Sequence, residues 1–224
     1  MIVAGLGLAA CSTSTSGHGV AKQSAVNSSP PPAATSPVQS STANTPSSST
    51  AAATSLAPTP TTPLRVDNVQ SYSDNATYSV KVWVEDTTIN CEGHAYGAQV
   101  IAYLKAHLCK SMTRLLASTT VGGRPVGIAQ TMITFSGDAP DVYQTAGDFK
   151  TLVTQNGTGN IADLLREGKR FPKSGSAVGS PDAFSAQGED TAVGIDDLWY
   201  LDGPTVENAP ELMNLGDSLF LQLN

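Results

Sequence analysis

The chain has 224 residues and a formal net charge of −7, from 12 Lys plus Arg against 19 Asp plus Glu. From Ser12 to about Pro63 it is almost wholly Ser, Thr, Ala, Pro and Asn, with Lys22 as the only charged side chain. Such a stretch buries too little apolar surface to offset the entropy of ordering it. The remaining 11 basic and 19 acidic residues fall in 64–224, a balance of −8. That charge is repelled by phosphate backbones and no basic stripe offsets it, which excludes a nucleic-acid partner.

At the amino terminus, residues 2–10 (IVAGLGLAA) are apolar or small and run directly into Cys11. Leu8-Ala9-Ala10-Cys11 resembles the lipobox of bacterial lipoprotein signal peptides. The resemblance implies a diacylglyceryl thioether on Cys11, cleavage just before it, and residues 1–10 as a signal remnant. No Lys or Arg precedes the apolar run, whereas a secretory signal opens on a positive region. The natural start is therefore expected upstream of Met1. The alternative is a cytosolic protein with an apolar start and a chance Cys. Residues 11–63 then form a tether, Pro-rich at Ser28-Ser29-Pro30-Pro31-Pro32. Its ~50 residues give a mean span of about 40 Å, which suits a domain standing off a membrane.

Residues 64–224 are long enough for one domain with a real core. Tyr78–Glu85 alternates, with Val80, Val82 and Val84 on one side and Lys81 and Trp83 on the other, and predicts a strand. Ala98–Leu108 places Ile101, Leu104 and Leu108 on a helical stripe. Ser111–Val121 and Arg124–Phe135 flank Gly122-Gly123 and predict a hairpin. A helix should start near Asp138–Asp141, where Asp138 caps and Pro140 fits the first turn. Val142, Ala146, Phe149, Leu152 and Val153 would be its buried stripe. Asn156-Gly157 breaks it, Ile161–Glu167 restarts as a short helix, and Gly168 ends that. Phe184 and Val193–Leu201 predict a second hairpin around Gly188, and Asn208–Leu223 a closing helix. The class is α+β: an antiparallel sheet with helices mainly on one face. The order fits a ferredoxin-like βαββαβ core with C-terminal additions.

With Cys11 assigned to lipid, Cys91 and Cys109 remain as an even pair flanking the first helix. In an oxidising compartment they are expected to form a disulfide; two buried thiols are the alternative. Cys91, Ala95-Tyr96-Gly97, Cys109 and the later Gly157-Thr158-Gly159-Asn160 resemble a segment of small secreted proteins and lipoproteins of actinobacteria. That resemblance implies the paired cysteines and an actinobacterial envelope, but no activity.

The catalytic candidates are few. His94 and His107 are the only histidines in 64–224, and no Gly-x-Ser-x-Gly elbow presents a nucleophile. His107 lies where a helix C-terminus favours it. Gly157–Asn160 lacks the Lys of a P-loop and reads as a helix break. Asp190, Asp196, Asp197 and Asp202 fit no calcium loop and read as acidic turn residues. No metal or cofactor is expected. Trp83, His94 and Tyr96 are the expected ligand surface. The expected role is a non-enzymatic, lipid-anchored module on the extracytoplasmic face of the cell membrane, binding an envelope protein or small ligand. The alternative is a cell-wall hydrolase using His94 and nearby acids.

Overall fold

A computed structural model of the chain describes residues 58–155, 161–220, 222 and 223. The lipidation site Cys11, the tether up to residue 57 and Gly157–Asn160 lie outside the described residues. The fold is α+β, a six-stranded antiparallel sheet with three helices. In chain order the elements are β1 (Arg65–Gln70), β2 (Thr77–Thr88), α1 (Ala98–Ala106), β3 (Cys109–Val121), β4 (Arg124–Phe135), α2 (Asp141–Gln155), β5 (Ala183–Glu189), β6 (Ala192–Tyr200) and α3 (Pro210–Leu219). The sheet order is β1-β2-β3-β4-β6-β5. Among the described residues no helix is long and apolar enough to cross a membrane.

The strongest local signals produce their elements. Gly122 and Gly123 both take positive φ, 57° and 82°, as the two-residue turn joining β3 to β4 requires. Every residue from Ser111 to Val121 then pairs across the hairpin, starting from Val121↔Arg124. Val142, Ala146, Phe149 and Val153 form the buried stripe of α2, and Leu212, Leu215 and Leu219 that of α3. Cys91 and Cys109 are joined by a disulfide, with 6.4 Å between their Cα atoms.

That bridge bears on the topology. In a ferredoxin-like core the strands flanking the first helix run parallel, with another strand between them. Here β2 and β3 are neighbours and antiparallel. Cys91 follows the end of β2 and Cys109 opens β3, so the bridge holds the two ends of the α1 connection together. A crossover to a parallel strand must carry the chain back by a strand length. With its ends tied, this connection can only return the chain alongside β2. The ferredoxin-like order is thus corrected to a four-strand meander, β1 to β4, extended by the β5–β6 hairpin.

Helices occupy both faces of the sheet. On one face α3 packs Leu212, Leu215 and Leu219 against Val80, Val82, Leu115, Ile128 and Leu198. On the other, α1 and α2 cover Met112, Ile133, Val193 and Ile195 with Val100, Leu104, Val142 and Phe149. Beside them the segment 161–182 packs Leu164, Leu165 and Phe171 over Leu116, Ala129 and Trp199. Its first part, expected as a helix over Ile161–Glu167, is a series of turns instead. A register shift between Val82 and Val84 also overturns the alternation expected for β2. The bulge moves Val84 to the Trp83 side, where it joins the Leu164 cluster rather than Val80 and Val82.

Candidate functional site

Segment 161–182 forms no regular secondary structure beyond one bridge, Ala95↔Ile161, so its polar groups must find other partners. The main fastening is Arg114 of β3. Met112, Arg114 and Leu116 lie on the same strand face, which turns the Arg114 side chain inward to 1% exposure. Its guanidinium donates to Glu167 at 2.5 and 3.1 Å, to Asp86 at 2.7 Å and to the Ala162 carbonyl at 3.0 Å. Burial pulls its pKa down, but the bonds from Glu167 and Asp86 outweigh that and hold it above the ordinary arginine value. Burial acts upward on Glu167, yet bonds from Arg114 and His94 keep its carboxyl below the usual range. His94 meets Glu167 through Nδ1 at 2.7 Å, and its carbonyl accepts from the Ala162 amide at 2.7 Å. His94 therefore fastens the segment at its start.

Two cavities flank this segment on the same sheet face. The first, of about 140 Å³, is lined by Tyr96, Asp163, Arg166, Asp182 and Asp197 among others. Arg166 donates to Asp163 through Nε at 3.0 Å, and its guanidinium lies 5.0 Å over the Tyr96 ring. Burial pushes the Asp197 carboxyl well up, and the charges of Asp182 and Asp163 add to the effect. Burial likewise raises Asp182, against a side-chain hydrogen bond with Asp197 that acts downward. Asp197 Oδ1 is buried with no hydrogen-bond partner among the described residues. Adjacent carboxyls whose surroundings push their pKa values away from the ordinary range recur at acid–base sites.

The second cavity, of about 260 Å³, is built on Trp83. Ser79, Lys81, Ser118, Thr120, Pro125 and Leu201 line it from the sheet side, and Pro172 and Lys173 from the segment. Trp83 is half-buried; its indole N–H donates to the Ser118 hydroxyl at 2.8 Å, which fixes the ring. Its basic groups are Lys81 and Lys173, and no acidic side chain lines it.

The structure thus divides the expected ligand surface. Trp83 belongs to one cavity, Tyr96 to the other, and His94 to the ion network between segment and sheet. His107 caps α1 and stacks on Tyr103 with ring centroids 4.2 Å apart. Among the described residues no group of three or more His, Cys, Asp or Glu side chains is placed to hold a metal ion. Asp196 and Asp197, expected in a turn, lie within β6 and point to opposite faces, one under α3 and one into the Tyr96 cavity. The clue was present: both interrupt an otherwise apolar run, AVGIDDLWY. Arg114 was missed although alternation with Met112 and Leu116 marks it as inward-facing. No protein-family model, curated protein or solved structure matches the chain.

Proposed function

We propose that this chain is a lipid-anchored binding module of the extracytoplasmic membrane face, held through Cys11 and a tether over residues 11–63. It engages a ligand or partner of the cell envelope, and the resemblance of its Cys91–Cys109 segment makes that envelope actinobacterial. The observation that carries the reading is the Cys91–Cys109 disulfide. Such bonds persist outside the cytoplasm and are rare within it. Support for binding comes from the Trp83 cavity, which joins an aromatic wall to several polar groups, the composition of small-ligand sites.

The compartment is tested by intact mass spectrometry of the protein from its native membrane fraction, with and without reductant. The expected result is a diacylglyceryl adduct on Cys11 and a gain of two hydrogens on reduction. An unprocessed chain with free thiols sinks the reading. Binding is tested by co-sedimentation of the full chain with purified cell-wall sacculi, where Trp83→Ala should weaken recovery.

One observation favours a hydrolase as the second reading: the Asp182–Asp197 carboxyl pair beside Tyr96. His94 suits that role less well, because its bond to Glu167 joins it to the Arg114 network. Soluble fragments released from sacculi by the native chain, and not by Asp197→Asn, would establish hydrolysis and displace the binding reading.

A further inference from the structure

We infer that the Trp83 cavity binds an anionic sugar, a pyranose ring bearing a carboxylate or phosphate. This deepens the binding reading above and rests on it. The apolar wall consists of Trp83, Pro125, Pro172 and Leu201. An indole offers an apolar face of the size a sugar's C–H surface needs, and Trp83 is held by its bond to Ser118 while half-exposed. The Thr119 hydroxyl is engaged with the Ser79 carbonyl at 3.0 Å. Ser118 accepts from the indole and keeps its own proton to donate. The hydroxyls of Ser79 and Thr120 complete a polar rim suited to a polyol. At about 260 Å³ the cavity is slightly smaller than the ~300–1,000 Å³ that encloses a drug-sized ligand, so it seats one ring and leaves a chain outside.

Charge selects an anion. The cavity carries Lys81 and Lys173 in a domain whose balance is otherwise strongly negative. Lys81 makes no ion pair with any described residue. Lys173 likewise makes no ion pair with any described residue, and Asp202, whose carboxylate feels its charge, is held by Arg124 at 2.8 Å. Lys173 also bears a backbone mark. Its φ is +69°, a left-handed conformation that favours glycine and is uncommon for a long side chain. Folding alone would be served by Gly at this turn, as it is two residues on at Gly175, φ +71°. Backbone strain retained at a cavity mouth is characteristic of binding sites.

The experiment titrates the full chain with trigalacturonate, its methyl ester, glucose 6-phosphate and inorganic phosphate by calorimetry. It compares the native chain with Trp83→Ala and Lys173→Gly. Native chain should bind trigalacturonate and the sugar phosphate, and bind the uncharged ester at least tenfold more weakly. Lys173→Gly should lose at least tenfold in affinity while melting no lower than the native chain, which separates lost binding from lost folding. Equal binding of the ester would overturn the charge requirement. Inorganic phosphate binding as well as the sugars, and insensitive to Trp83→Ala, would overturn the sugar. If no probe binds while sacculi still retain the chain, the ligand class is wrong and the binding reading survives. If sacculi do not retain it either, both fall.

Discussion

The two faces of the sheet are filled by different means. Under α3 the packing is almost entirely aliphatic: one amphipathic helix sets three leucines onto Val80, Val82, Ile128 and Leu198. Its backbone bonds are internal to the helix, so covering this face leaves few polar groups to satisfy. The opposite face is shared by α1, α2 and segment 161–182. The segment makes only turn bonds within itself, so Arg114 of the sheet and the His94 carbonyl of the β2–α1 connection bond Ala162 from outside, while Asp86 and the segment's own Glu167 hold the Arg114 guanidinium. Irregular chain also seals less completely than a helix, and both candidate cavities lie at its margins. The α3 face is covered by one regular helix, whereas the opposite face combines a helical core with an irregular cover that leaves both candidate cavities open.

Several perturbations would break or sharpen this contrast. The largest effect is expected on the α3 face. Leu215→Ala should cost about 3 kcal/mol of global stability, read from denaturant unfolding with an unchanged m-value. Arg114→Met should cost less, about 2 kcal/mol, because its charged partners Asp86 and Glu167 are 44% and 31% exposed and regain water. Its effect should be local: faster amide exchange at Gly168 and Lys169 and proteolytic nicking within 161–182. Uniform loosening of the whole sheet would show that the faces are one cooperative unit after all.

The smallest effect concerns the polar exception on the α3 face. Asp196 is fully buried; the Gln130 amide acts on its carboxyl, but no hydrogen bond of normal geometry joins them or any other described residue to it. Burial raises its pKa well above the usual carboxylate value. The folded chain therefore keeps a proton that the unfolded chain releases, and stability falls as pH rises from the unfolded pKa of about 3.9 towards the folded one. Asp196→Asn removes that loss. It should stabilise the domain by about 1 kcal/mol at pH 7 and by nothing below about pH 4, measured as melting temperature against pH.

Much of the fold was legible because local chemistry and tertiary structure agree. Gly122-Gly123 demands a hairpin turn, the Val142–Val153 stripe demands a helix, and the cysteine pair flanking α1 is within bridging reach. β1 was missed because RVDNVQ is a polar edge strand. Its Arg65 pairs with Asp67 two residues on and with Glu85 of the adjacent β2, a partner that exists only once the strands are side by side. The candidate sites were legible one residue at a time. Trp83 and Tyr96 stand out as isolated aromatics, but the Lys173 that shares the Trp83 cavity is 90 positions away in the chain, and the Asp182–Asp197 pair joins a loop to a strand.

The sequence by itself determined the α+β class, the β3–β4 hairpin, the buried stripes of α2 and α3 and the paired cysteines, since each depends on periodicity or on residues with a single conformational use. Only the tertiary structure decided the strand order, the bulge at Val84, the route of residues 161–182 and the grouping of side chains into two separate cavities. Those features depend on long-range contacts, whose energies are set by which surfaces meet after the chain has folded.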